Sequence, residues 1–180
     1  MIYSATSASL GNKGEDKNLS PYAFTKAKNL ELLENLKKWF NFKYEVIYFY
    51  NVYGKREIRI GKYATLIALF TEKMKNDETL TIVSPGTQKR NFTHVDDIID
   101  GLVLVGENGY GDEFGIGSRE SFSILEVAQL FGGEIQILPE RKGNRMTADV
   151  VTAKTEALGW SPKRNLAVYI EVLKSNDWNK

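Results

Sequence analysis

The sequence predicts an α/β protein built around a parallel sheet, and three observations carry that expectation. A short apolar stretch at residues 2–5, a polar loop, a long amphipathic segment over 20–41 and a second apolar stretch at 44–50 follow one another. A strand–helix–strand unit of this kind joins parallel strands by a right-handed crossover. The run at 44–50, Tyr-Glu-Val-Ile-Tyr-Phe-Tyr, is mostly apolar and aromatic, the pattern of a strand covered on both faces. After residue 61, short strand patterns alternate with helical ones, so the α/β character continues to the end of the chain.

The bulk composition narrows the function classes. The chain has 180 residues, 42% hydrophobic and 26% charged, with a net charge of +1. That is enough for one domain with a sizeable core. The balanced charge leaves no footprint for nucleic acid. There is no cysteine and a single histidine, which rules out disulfides and thiolate metal sites and leaves no metal site to expect. No apolar run approaches the length of a membrane span. Residues 1–5 lack the basic flank and apolar core of a signal peptide, so the expected compartment is cytoplasmic.

Taken in order, residues 2–5 read as a buried strand that Thr6 to Ser9 leave. Residues 11–18 form a polar loop with two glycines. Ser20 caps a helix whose first residue is Pro21. Ala23, Ala27, Leu30, Leu33 (or Leu36) and Phe40 recur at helical spacing and mark its inward face. The strand at 44–50 ends at Asn51-Val52-Tyr53-Gly54. A helix is expected over 62–76 with Tyr63, Leu66, Ile67, Phe70 and Met74 inward, then strands at 80–83 and 90–94 around the turn Ser84-Pro85-Gly86-Thr87. A helix over 95–105, capped by Thr93 or Asp96, ends near Gly109. A strand at 113–116, a helix after Ser123 stopped by Gly132-Gly133, and a strand at 134–138 follow. A charged loop at 139–145 and helices over 152–158 and 166–173 complete the chain. His94 reads as a buried structural residue.

The chemistry is concentrated in Ser20-Pro21-Tyr22-Ala23-Phe24-Thr25-Lys26. Tyr22 and Lys26 are four residues apart on a helix and project from one face. A phenol ionises near pH 10, and an ammonium beside it favours its anion. The pair can serve as an acid/base; the spacing alone fits a surface pair as well. Thr6 and Asn51 each end a strand, and ligands of open α/β sheets sit beyond the carboxyl ends of strands.

In order, Ser4-Ala5-Thr6-Ser7-Ala8, Tyr22-x-x-x-Lys26, Tyr50-Asn51-Val52-Tyr53-Gly54, Lys89-Arg90-Asn91-Phe92-Thr93-His94-Val95-Asp96-Asp97, Phe114-Gly115-Ile116-Gly117-Ser118, Pro139-Glu140-Arg141-Lys142-Gly143, Ala148-Asp149 and Leu158-Gly159-Trp160-Ser161-Pro162 form a set. This set resembles the extended short-chain dehydrogenase/reductases that act on nucleotide sugars as NAD-dependent epimerases and dehydratases. The resemblance implies the C-terminal part of a Rossmann-like parallel sheet, within residues 1–60, and a small α/β substrate-binding region, mainly within 61–180. It implies that Thr6 hydrogen-bonds the reacting sugar oxygen and that Tyr22 trades a proton with that hydroxyl. Lys26 would hold the nicotinamide ribose of NAD and Tyr50 would pack near the nicotinamide. Asn51, Arg90 and Arg141 would bind the substrate diphosphate, and Asn144 stands where many members have an Asp that contacts the nucleotide ribose. A guanidinium fork suits phosphate.

The resemblance also sorts the reactions. Dehydratases of the family carry an Asp-Glu pair after the catalytic Thr and decarboxylases usually retain a Glu, whereas Ser7 and Ala8 follow Thr6 here. Alcohol–ketone chemistry on a UDP-sugar, a 4-epimerisation, is the leading expectation. A 6-epimerase, a dehydratase and a non-catalytic nucleotide-sugar-binding module are the alternatives. The glycine-rich strand–turn–helix that holds the dinucleotide pyrophosphate in this family has no match in the sequence. NAD is therefore expected to bind weakly or not at all to this chain alone, and a homodimer or a pairing with a missing N-terminal half is expected for the working enzyme.

Overall fold

The computed structural model describes residues 1–7, 20–61, 63–140 and 150–178. Strand β1 (Ile2–Thr6) leads to helix α1 (Pro21–Phe40), β2 (Glu45–Phe49) and the two-residue β3 (Val52–Tyr53). Helix α2 (Leu66–Lys75), β4 (Leu80–Val83), β5 (Lys89–Asn91) and β6 (Thr93–His94) follow. Helix α3 (Val95–Asn108), β7 (Gly111–Ile116), β8 (Ser121–Ser123), α4 (Ile124–Phe131), β9 (Ile135–Leu138), α5 (Ala153–Glu156) and α6 (Leu166–Ser175) complete the order.

The parallel sheet is β1-β2-β7. Its register aligns Thr6 with Phe49 and Phe49 with Ile116, so all three strands end together. The pleat sends alternate residues of β2 to opposite faces. Val46 and Tyr48, with Tyr44 and Tyr50, pack under α1 against Ala5 and Leu33. Ile47 packs on the opposite face against Ile98 and Val105 of α3, with Phe114, Ile116 and Trp160. This double burial is why the stretch reads as a nearly continuous apolar run. The sheet draws β7 from beyond residue 60, and Val150 and Trp160 pack back against it, so the chain passes repeatedly between its two regions.

The second region packs α2, α4 and α6 around Phe70, Leu80, Ile82, Val127, Phe131 and Ile170. Parallel pairs β3–β6 and β4–β9 and the antiparallel pair β5–β8 surround that core.

Local chemistry sets the ends of the elements. Ser20 Oγ accepts from Ala23 N–H at 3.1 Å, with Pro21 in the first turn, and Asn41 closes α1 in the left-handed conformation. Ser123 and Glu126 form a reciprocal capping box on α4, and Gly132 ends it with φ of 78°.

Four expectations are corrected. Phe40 and Tyr63 are exposed: α1 unwinds into Asn41 just after Phe40, and α2 begins only at Leu66, leaving Tyr63 in the preceding loop. The cap of α3 is neither Thr93 nor Asp96 but His94, whose Nδ1 accepts from Asp96 N–H at 3.2 Å. The strand expected at 90–94 is two strands with different partners, divided at Phe92.

Candidate functional site

The carboxyl ends of β1 and β2 bring together residues that the sequence keeps far apart. Thr6 ends β1 and is half-buried. Asn51 lies two residues beyond its register partner Phe49, with φ of 29°. That backbone conformation is uncommon outside glycine and is held by contacts on both sides. Asn51 Nδ2 donates to the Asn91 carbonyl at 3.0 Å. The Asn51 carbonyl accepts from Thr93 N–H at 3.3 Å. Arg90 immediately precedes Asn91 in β5 and is half-buried; its Nη1 donates to the Lys89 carbonyl at 2.7 Å.

Helix α1 supplies the acid/base candidates from its first two turns. Tyr22 is 59% exposed. Lys26, one turn on, reaches back to the sheet: its Nζ donates to the Ser4 carbonyl at 2.7 Å and lies 5.2 Å from the centre of the Tyr3 ring. The lysine thus ties α1 to β1 two residues before Thr6.

Tyr50 does not join them. It is fully buried, and its hydroxyl accepts from Val151 N–H at 3.0 Å. A methyl added at Gly117 would lie 2.6 Å from the Tyr50 ring, and one at Gly115 would overlap the Val151 carbonyl oxygen. The side chain expected beside a nicotinamide is buried in this chain and seats Val151 against β7. Arg141 and Asn144 lie outside the described residues.

His94 is the structural residue its isolation suggested. It is buried, and its ring meets those of Tyr53 and Tyr169 edge-on at 5.2 and 5.5 Å. Burial pushes the Tyr169 phenol up to about 12 and raises Tyr53 further. Among the described residues no cluster of histidine and carboxylates could hold a metal ion, and no helix is long and apolar enough to cross a membrane.

Three buried polar residues were given no part in the site by the sequence. Asn91 and Thr93 are buried and hold Asn51 from the side of β5 and β6. Asp97 is 1% exposed and accepts from Lys163 N–H, Arg164 N–H and Arg164 Nη1 at 3.1, 3.0 and 2.6 Å. Nothing in their local sequence marks them, since β5 and β6 are themselves polar; only burial in the folded chain demands a partner for each.

Lys26 and Tyr22 stand at the rim where a nicotinamide ribose could be met, but the chain contains no glycine-rich turn between a strand and a helix to take the pyrophosphate. The residues present fit the reactive end of the cofactor and not its phosphates.

The profile of the NAD dependent epimerase/dehydratase family matches residues 2–117. UDP-glucose 4-epimerase of Mycolicibacterium smegmatis is 30% identical over 157 residues, covering 82% of this chain and 50% of the enzyme. UDP-glucuronic acid decarboxylase 3 of Arabidopsis thaliana is 33% identical over 127 residues, covering 65% of this chain and 36% of the enzyme. Among solved structures, UDP-glucose 4-epimerase of Thermotoga maritima with UDP-glucose superposes with a TM-score of 0.86 at 26% identity, over 97% of this chain and 63% of that one. UDP-glucuronic acid 4-epimerase of Bacillus cereus, in complex with UDP-glucuronic acid and NAD, gives 0.84 at 27% identity, over 98% and 60%. The chain spans about half the length, or less, of these sequence relatives. With its three-stranded Rossmann-like sheet and the match over residues 2–117, the chain belongs to the NAD dependent epimerase/dehydratase family.

Proposed function

We propose that this chain carries the acid/base and sugar-diphosphate-binding parts of an NAD-dependent nucleotide-sugar epimerase, with a UDP-sugar 4-epimerase as the leading assignment. The observation that supports it most is the common rim. Thr6 and Asn51 leave adjacent parallel strands in register, Arg90 adjoins Asn91, whose carbonyl holds Asn51, and Lys26 fastens the helix of Tyr22 to the same strand as Thr6. Ligands of open α/β sheets sit at such a rim.

In this reading Thr6 hydrogen-bonds the reacting sugar hydroxyl and Tyr22 Oη takes and returns its proton. Lys26 holds the helix of Tyr22 on β1 and orients the ribose. Asn51, Arg90, Arg141 and Asn144 hold the nucleotide end, the arginines by charge-assisted forks on the diphosphate. NAD, when bound, accepts hydride from the sugar carbon and returns it. The residues after Thr6 favour epimerisation: Ser7 and Ala8 include no carboxylate to act as a base at carbon, although the similar proteins include decarboxylases as well as epimerases.

The second reading is a nucleotide-sugar-binding module without turnover. It is favoured by the Lys26 ammonium being engaged at the Ser4 carbonyl. Calorimetric titration of UDP-glucose, and separately of NAD, into the 180-residue chain tests what both readings share. Both expect UDP-glucose to bind, Arg90→Ala to weaken it by roughly tenfold or more, and NAD to bind weakly or not at all. Absence of UDP-glucose binding would remove both.

A further inference from the structure

Asn91 and Thr93 stand in no catalytic or ligand-binding role above, yet they join the segment of Asn51 to a turn on the far side of β5 and β6. On one side, the Asn91 carbonyl accepts from Asn51 Nδ2 at 3.0 Å, and Thr93 N–H donates to the Asn51 carbonyl at 3.3 Å. On the other, Asn91 Nδ2 donates to the carbonyls of Ser118, Arg119 and Glu120 at 3.0, 3.3 and 3.2 Å. Thr93 Oγ1 accepts from Ser118 N–H at 3.0 Å. The turn at 118–120 is itself anchored: Arg119 forks onto Glu156 through both Nε and Nη2, and Glu120 Oε2 accepts from Asn165 Nδ2 at 2.7 Å.

We propose that Asn91 and Thr93 are positioning residues, a brace that sets Asn51 and the adjoining Arg90 against the 118–120 turn so that both address one diphosphate. The proposal rests on the reading of Asn51 and Arg90 as diphosphate ligands. Its physical ground is direction. Asn51 holds a φ of 29°, in a region uncommon for residues with a side chain, though asparagine is among the few types that enter it. A buried hydrogen-bond network fixes one arrangement where apolar packing would tolerate several. Thr93 is 1% exposed and Asn91 6%, so both are largely shielded from solvent and act through Asn51.

The test compares the 180-residue chain with Thr93→Val, which deletes the acceptor for Ser118 N–H, and Thr93→Ser, which keeps it. UDP and uridine are the probes, and the side-chain amide resonances of Asn51 are followed by NMR without ligand. The brace predicts that Thr93→Val weakens UDP by roughly tenfold, leaves uridine unchanged and moves the Asn51 amide resonances, and that Thr93→Ser restores both readouts. Equal weakening of UDP and uridine, or Asn51 resonances that stay in place in Thr93→Val, overturns it. Should the unmodified chain bind no UDP, the diphosphate reading fails separately. The Asn51 resonances then decide the brace, a shift supporting it and no shift overturning it.

Discussion

Lys26 Nζ donates to the Ser4 carbonyl at 2.7 Å, so the helix of Tyr22 is pinned to the strand of Thr6 by a side chain counted among the acid/base candidates. A charge-assisted bond of this kind adds to stability as well as to chemistry. Lys26→Met is expected to cost about 1.5 kcal/mol and to lower Tm by about 4 °C, measured by thermal unfolding. An unchanged Tm would mean that the contact does not hold α1 in place.

Gly115 makes room for Val151, and Gly117 for the ring of Tyr50. Gly115→Ala places a methyl on the Val151 carbonyl and must push that residue off β7, breaking the bond from Val151 N–H to Tyr50 Oη. The expected loss is about 3 kcal/mol, read as a lower midpoint in urea unfolding. Tyr50→Phe removes the acceptor alone and is expected to cost about 1 kcal/mol. The reverse order of the two variants would show that Val151 is not seated through Gly115.

Asp97 holds the turn at 163–164 on the first turn of α3. Two backbone N–H groups and the Arg164 guanidinium converge on its carboxylate, and that hydrogen bond raises the Arg164 pKa further. Asp97→Ala leaves those donors without their acceptor and is expected to destabilise by about 3 kcal/mol. Arg164→Ala, at a half-exposed partner, is expected to cost less. Chemical denaturation of both variants checks the asymmetry.

The buried tyrosines fix an alkaline limit. Burial raises Tyr48, Tyr53 and Tyr169 above the ordinary phenol value, Tyr169 to about 12. A phenol whose folded pKa is raised contributes its full stability below the unfolded value of about 10 and loses it as pH climbs toward the folded value. Tm is therefore expected to fall between about pH 10 and 12, with phenolate absorbance rising together with unfolding. A Tm that stays level across that window would contradict the burial of these rings.

Much of the fold was legible because its signals are local. Strand β4 spans residues 80–83 as the apolar run indicated, and Ser20-Pro21 and Gly132 end their helices by caps that follow from residue type. The double burial of β2 was visible in its composition. What stayed hidden depends on distant partners. Tyr50 follows the alternation that buries Tyr44, Val46 and Tyr48 under α1, and its hydroxyl partner is 101 residues away. Asn91 and Thr93 look like ordinary polar strand residues until the turn at 118–120 is folded against them. Of the candidate site, Thr6, Asn51, Arg90, Tyr22 and Lys26 could be ordered from the sequence, but the Ser4 contact of Lys26 could not.

The measurement that bears most directly on the central claim is turnover. The chain would be co-expressed with the glycine-rich amino-terminal half of a family member, and UDP-glucose epimerisation would be followed in the purified pair with Tyr22 intact and as Tyr22→Phe. The account predicts activity in the first, and a loss of about a hundredfold or more in the second from the missing acid/base. Activity that survives Tyr22→Phe unchanged would contradict it.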